Sequence, residues 1–144
     1  MGGYRCLMRT NDIVVNEAFG DLKDYKFFCF NGHVECFKID FDRFSDHKAN
    51  YYNKEGKLLP FGEKLCQPDY YKNLSIPSNF EQMINLAETL SKGIPFVRID
   101  FYNVNGCIYF GEITFYPASG FGAFTDNDWD VKLGGLISLP HHTK

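Results

Sequence analysis

Aromatic and β-branched residues cluster in short runs separated by turn residues, and the runs predict strands. Ile13-Val14-Val15-Asn16-Glu17-Ala18-Phe19 reads as a short strand stopped by Gly20, and Asp24 to Phe30 as a second, aromatic-rich one. Asn31-Gly32 follows, the strongest two-residue hairpin signal, because both residues accept the left-handed backbone such a turn needs. His33 to Asp40 is the return strand. Phe41 to Ala49 is polar and charged and predicts a loop, with Asn50-Tyr51-Tyr52 a brief strand before the turn Asn53-Lys54-Glu55-Gly56. Residues 57–77 carry Pro60, Pro68 and Pro77 and no sustained period, so they predict an irregular connection.

The period then changes. Phe80, Met83, Ile84, Ala87 and Leu90 form one apolar stripe at helical spacing. Ser78-Asn79-Phe80-Glu81 matches a capping box at its start, and Lys92, Gly93 and Pro95 supply its end. Phe96 to Val104 and Cys107 to Phe115 predict strands around an Asn105-Gly106 turn. After the loop Tyr116 to Phe124, Thr125-Asp126-Asn127-Asp128 matches a second capping box, opening a helix through about Ile137. Asp126, Asp128 and Asp130 suit the positive end of its dipole. Pro140 and the polar tail His141 to Lys144 close the chain, which has no internal repeat. The fold class these elements predict is α+β: an antiparallel sheet with two helices.

The last hairpin carries the candidate chemistry. Strand side chains alternate between faces, so the loop decides which residues share one. A two-residue Asn105-Gly106 loop puts Asp100 and Glu112 on opposite faces. A three-residue loop, Val104-Asn105-Gly106, sets Asp100 against Phe110 and Arg98 against Glu112. The second register collects Val97, Ile99, Phe101, Tyr109 and Ile113 on one face and Arg98, Asp100, Glu112 and Thr114 on the other. A buried set fixes register, so the sequence predicts the three-residue loop. Two carboxylates so close raise one another's pKa unless a cation lies between them. Arg98 serves as that cation in one reading; a divalent metal, which takes hard oxygen ligands, serves in the other.

Composition narrows the classes. The chain has 144 residues, enough for one domain with one core. Aromatics make up 17% of it, far from a disordered composition. A net charge of −3 without a long basic run argues against nucleic acid as a partner. No apolar run is long enough for a membrane helix, and the N-terminus lacks the apolar stretch of a secretory signal. The five cysteines, Cys6, Cys29, Cys36, Cys66 and Cys107, are widely spaced with no CxxC, and read as free thiols in a reducing cytoplasm. His33, His47, His141 and His142 share no metal-ligand spacing and read as surface residues.

Arg98-Ile99-Asp100-Phe101, the hairpin, Tyr109-Phe110-Gly111-Glu112-Ile113-Thr114 and Pro117 together resemble the closing motif of the ATP-grasp enzymes. The narrower resemblance is to the TupA-like ATP-grasp family, named from teichuronopeptide biosynthesis. Its blocks match Asp24 to Gly32, Asp42-Arg43 with Asn50, Pro95 to Asp100, Gly111 to Phe121, Trp129-Asp130 and Lys132-Leu133-Gly134. The resemblance covers roughly residues 12–140.

The resemblance implies ATP and Mg²⁺ as cofactors, with Asp100 and Glu112 as metal ligands. Thr114 stands where the superfamily has Asn and offers one neutral hydroxyl oxygen, which weakens a second metal position. Glu17 corresponds to the carboxylate that accepts the ribose hydroxyls, or else is a solvated strand-end charge. Lys26 and Arg43 correspond to cations that meet the triphosphate or an acyl-phosphate, or else are surface charges. Arg98 reaches phosphate or holds Glu112. The Ala118-Ser119-Gly120-Phe121-Gly122 loop offers amides to an anion or is a plain connection.

The implied function is that of a carboxylate–amine ligase-like enzyme working through an acyl-phosphate in cell-surface polysaccharide biosynthesis. Its partners would be nucleotide and a saccharide- or amino-acid-type acceptor. Members often accompany glycosyltransferases. The match is to the C-terminal half of a member: residues 1–11 as a remnant, 12–140 as a partial domain and 141–144 as a tail. A non-catalytic half-domain that binds nucleotide, a partner chain or another copy is the first rival. An exposed apolar edge where the other subdomain docks would support it. A metal-independent sugar- or peptide-binding module is the second rival, and it needs Tyr51, Tyr52, Tyr70, Tyr71 and Tyr102 grouped on one open surface, with Asp100 and Glu112 satisfied by Arg98 alone.

Overall fold

Two Asn-Gly turns organise the sheet. Asn31 and Gly32 both have positive φ (51° and 82°), as do Asn105 and Gly106 (52° and 77°), the backbone that matches the twist of antiparallel strands. The first turn joins β2 (Asp24–Phe30) to β3 (His33–Phe41), and the second joins β5 (Phe96–Val104) to β6 (Cys107–Thr114). The computed structural model describes residues 8–9, 23–120 and 122–140. The strand expected over Ile13–Phe19, with Glu17 on it, and the histidines His141 and His142 lie outside the described residues.

β4 (Lys48–Asn53) pairs with β3, β5 pairs with β2, and a two-residue β1 (Met8–Arg9) runs parallel to β6. The order is β1-β6-β5-β2-β3-β4, antiparallel throughout except at β1. Helix α1 (Phe80–Ser91) lies between β4 and β5 in the chain, and α2 (Asn127–Gly134) follows β6. This is the α+β architecture the sequence predicts.

The sheet has two unlike faces. Tyr25, Phe27, Phe37, Ile39, Val97, Ile99 and Phe101 alternate onto one face and pack with Met83, Ile84 and Ala87 of α1. Phe27 and Phe37 stack at 5.6 Å between ring centroids, and Phe80 of α1 closes on Phe37 at 4.6 Å. The other face is apolar at one end only. There Phe28, Phe30, Cys36 and Tyr51 meet Phe61 of the irregular connection and Leu133 of α2. Trp129 of α2 stacks on Phe61 at 4.5 Å. Asn50, fully buried, fastens the connection by two hydrogen bonds to the backbone of Asp69 (2.7 and 2.9 Å).

Several local expectations are corrected. The Ser78 capping box does not form: the cap is Asn79, without a side-chain cap bond. Asn79 instead donates to the Gly106 carbonyl and accepts from Asn103, tying the helix to the β5–β6 hairpin. In α2 the cap is Asp126, whose carboxylate accepts from the Asp128 amide, while Thr125 accepts from the Gly62 amide. That helix ends at Gly134, short of Ile137. Leu90 is exposed, and Leu86 packs against the core instead. Cys29, Cys36 and Cys66 are free thiols, but Cys107 is disulfide-bonded, so the reading of five free thiols fails there.

The three-residue hairpin loop is also wrong. Val104 pairs with Cys107 around a two-residue turn. The ladder then slips by one residue between Asp100 and Phe101, so that Phe101 faces Phe110 but Asp100 faces Glu112. Gly111 is the extra residue, and the slip is a β-bulge. Beyond it, Glu112 and Thr114 return to the face of Asp100 and Arg98. Before it, Ile108 and Phe110 join the α1-facing core, the reverse of the expected alternation. Ile113, expected to be buried, is exposed.

Candidate functional site

The bulge aligns a row of polar side chains across five strands. Glu112 on β6 pairs with Asp100 on β5, Asp100 with Lys26 on β2, Lys26 with Lys38 on β3, and Lys38 with Tyr51 on β4. Asp24 and Asp40 face each other one step along the same side. Asp24, Lys38, Asp40 and Asp100 are all buried. Charges taken from water on this scale persist only when paired and hydrogen-bonded.

Arg98 supplies much of the pairing. Its guanidinium donates from Nε and Nη2 to the two Asp100 oxygens, both at 2.8 Å, the forked geometry that only arginine offers. Nη2 also reaches Glu112 Oε1 at 3.0 Å and Thr114 Oγ at 3.2 Å, and the Thr114 hydroxyl donates to Glu112 Oε1 at 2.8 Å. Arg98, Asp100, Glu112 and Thr114 are therefore brought into one cluster, with Arg98 as the cation between the carboxylates.

The second centre is Lys26. Its ammonium lies 3.1 Å from Asp40, 3.3 Å from Asp24 and 3.9 Å from Asp100. Arg43 reaches the same Asp24 carboxylate at 2.8 Å. Lys38 pairs with Glu63 at 2.8 Å, and the Tyr51 hydroxyl donates to the same Glu63 oxygen at 2.6 Å. Lys26 and Arg43, expected as phosphate-binding cations, are thus both engaged by carboxylates, and they meet at Asp24. The other Asp24 oxygen, Oδ1, is buried without a hydrogen-bond partner among the described residues.

The titration of these groups follows from burial set against charge. Burial opposes the Lys26 charge, but Asp40, Asp24 and Asp100 outweigh it and raise its pKa. Burial likewise opposes the Asp40 carboxylate, and Lys38 and Lys26 overcome it, so the pKa falls. At Asp100 burial wins: its pKa rises despite Arg98 and Lys26, with Glu112 adding to the rise. At Arg98 burial is outweighed by Asp100 and Glu112, and the guanidinium is held more firmly charged.

Asp100, Glu112 and Thr114 present oxygen donors only, the set Mg²⁺ prefers. Each carboxylate oxygen has two lone pairs, so those that accept from Arg98 keep capacity for a cation. The Glu112 side chain is 62% exposed and open to an incoming ligand. The donor set therefore fits the magnesium ion that the resemblance implies. Glu17 lies outside the described residues.

Sequence reasoning missed Asp24, Lys38, Asp40, Glu63 and Tyr51 as members of this network. A partial signal was present: Asp24 with Lys26, and Lys38 with Asp40, interrupt aromatic strands at a spacing of two, so each pair shares a face of its strand; a slip in the β2–β3 ladder between Phe28 and Cys29 brings the two pairs onto the same face. His47 is exposed, as expected, but holds Asp40 Oδ1 at 3.1 Å. Asp40, His47 and Cys66 offer ligand atoms within 4.8 Å of one another, beside the ammoniums of Lys26 and Lys38. The tyrosines do not form a stacking platform, since Tyr51 and Tyr52 are buried while Tyr70 and Tyr71 are exposed.

An antiparallel sheet with α1 on one face and, on the other, converging acidic and basic groups beside α2 is an α+β arrangement consistent with an ATP-grasp subdomain. The chain belongs to the TupA-like ATP-grasp family, whose model matches residues 8–138. No curated protein and no solved structure matches it. Among the described residues, no helix is long and apolar enough to cross a membrane.

Proposed function

We propose that the charged sheet face binds ATP together with Mg²⁺ and serves a carboxylate–amine ligase-like reaction in cell-surface polysaccharide assembly. The observation that carries this reading is the convergence of Asp100, Glu112 and Thr114 across the bulge, beside Lys26 and Arg98. Asp100 and Glu112 would hold the ion, with Thr114 offering a weaker third oxygen. When bound, the ion would neutralise charge on the phosphates and on a transferred phosphoryl group.

The chain's own residues do the remaining work. Arg98 fixes both carboxylates in place and keeps its charge next to them. Lys26 lies one strand away on β2 and Arg43 in the turn after β3; both would turn toward phosphate oxygens by sharing or leaving Asp24, which then falls to whichever cation stays. Glu17 is proposed as the ribose-binding carboxylate. A carboxylate substrate that took the γ-phosphoryl group of ATP, with ADP leaving, would be an acyl-phosphate; an amine or similar nucleophile would attack its acyl carbon, inorganic phosphate leaving and the amine proton passing to solvent. Dependence on ATP argues for the cytoplasm, although a disulfide such as that of Cys107 is uncommon there.

The engagement of both Lys26 and Arg43 by carboxylates favours a second reading, a nucleotide- or partner-binding half-domain without catalysis. Paramagnetic Mn²⁺ in place of Mg²⁺ tests the site itself. With ATP present, amide signals around Asp100 and Glu112 should broaden first. Broadening confined to another part of the chain would refute the assignment.

A further inference from the structure

The same sheet face holds a cavity that the nucleotide reading does not use. Its volume is about 690 Å³, the size of a small-molecule site. Phe28, Phe30 and Phe96 form its floor, Phe115 and Tyr116 one wall, and Leu133, Gly134 and Ile137 another. The rim is apolar and open to water: Phe115 is 53% exposed, Tyr116 78% and Leu139 69%. Exposed apolar surface gathered around a hollow marks a binding site more often than a defect.

The register places this cavity next to the charged cluster. Phe28 is the pairing partner of Arg98, Phe96 lies two residues before Arg98 on the same side of β5, and Phe115 follows Thr114 directly. The charge of the lining is one-sided. Asp130, exposed on α2, is its one charged side chain among the described residues, and no lysine or arginine lines it. A phosphate or carboxylate would find no counter-charge there. A body of aromatic or branched apolar carbon with a protonated amine would find both an apolar floor and an anion.

We infer that this cavity binds an apolar primary amine, the ring or chain resting on Phe28, Phe30 and Phe96 and the ammonium facing Asp130. Its further role as the amine acceptor rests on the ligase reading above; the binding does not. Once its ammonium has given a proton to solvent water, the free amine would stand one pairing step from the Arg98–Thr114 cluster, where an activated carboxylate would be held.

Gly134 allows a clean test. It lines the cavity at the end of α2, and a Cβ built there meets no atom within 4 Å. Leucine at that position occupies open space and favours the helix over glycine. The probe is 2-phenylethylamine, titrated into the full ¹⁵N-labelled chain and followed by amide shifts, with 3-phenylpropionate as the oppositely charged control. The expected result is saturable shifts at Leu133, Gly134 and Phe96. Affinity should fall by about tenfold or more in Gly134→Leu and about threefold in Asp130→Asn, a smaller loss because that carboxylate is solvated. Melting of each variant establishes that it is folded.

No saturable shift with the amine overturns the inference. So does an equal response to the acid, or an amine affinity unchanged in a folded Gly134→Leu. A parallel titration with ATP and Mg²⁺ separates the two proposals. Binding of ATP without the amine leaves the nucleotide site standing and removes this one, and binding of the amine without ATP does the opposite.

Discussion

Glu112 stands directly opposite Asp100 across the β5–β6 pair, although the turn that joins the two strands would set them on opposite faces. The slip at Gly111 reconciles the two. It lets Ile108 and Phe110 face the α1 core near the turn and Glu112 and Thr114 face the polar side beyond it. The candidate site therefore depends on one glycine that contributes no side chain to it.

That dependence predicts the effect of Gly111→Ala. An added Cβ would lie 2.9 Å from the Asp100 carbonyl oxygen, a backbone atom with little room to move. The variant should lose about 1–3 kcal/mol of stability, as expected of overpacking. It should also shift the Asp100 and Glu112 amides in NMR spectra. Urea unfolding at wild-type stability would show that the bulge tolerates a side chain.

Arg98→Met should be more damaging. It leaves Asp100 buried beside Glu112 without the cation that holds both. Breaking a buried pair from one side costs about 3–5 kcal/mol. Adding Asp100→Asn should recover part of the loss, because the stranded charge goes with it, and a double-mutant cycle measures that recovery.

The direction of each pKa shift sets a pH dependence. Lys26 has a folded pKa above its ordinary 10.5, so its stabilisation is complete below that pH and is lost as pH rises through the folded value. Stability should decline in this alkaline range, and less steeply in Lys26→Met. On the acid side the two aspartates act in opposite senses. Asp40 lies below its ordinary 3.8, so its contribution is lost as pH falls through the folded value; Asp100 lies above 3.8, so its contribution is lost as pH rises through its own. Asp40→Asn and Asp100→Asn should change the slope of stability near pH 4 with opposite sign, read by denaturant unfolding at several pH values.

Asn50→Ala tests how the irregular connection is held. Two buried hydrogen bonds to Asp69 are removed, each contributing about 1 kcal/mol net. The expected loss is about 2 kcal/mol, with faster proteolysis in residues 57–77 and little change at Arg98. Equal protection of that segment in the variant would assign its anchoring to Phe61 and Trp129 alone.

Much of the fold was legible because turn chemistry and period agreed. Asn31-Gly32 and Asn105-Gly106 located both hairpins, and the stripe Met83, Ile84, Ala87 located the buried side of α1. The helix caps were misread because Ser78 and Thr125 sit next to residues with competing roles. Asn79 cements the hairpin, and Asp126 accepts from the Asp128 amide in the first turn of α2. The grouping of Arg98, Asp100, Glu112 and Thr114 was reached through the wrong loop. A lone glycine inside a strand pattern is itself a bulge signal, and Gly111 carried it. The wider network was hidden because ion pairs such as Lys26–Asp40 and Lys38–Glu63 join strands and a loop far apart in sequence, which periodicity on one strand does not reveal.

Whether Asp100 and Glu112 form a magnesium-dependent nucleotide site is open to direct measurement. The most direct measurement is calorimetric titration of the chain with ATP, with and without Mg²⁺, repeated on Glu112→Ala. Glu112 is largely exposed, so its removal should leave the fold intact. The predicted result is ATP binding that requires Mg²⁺ and weakens by about tenfold or more in the variant. ATP binding of equal strength with and without Mg²⁺, or unchanged in Glu112→Ala, would contradict it.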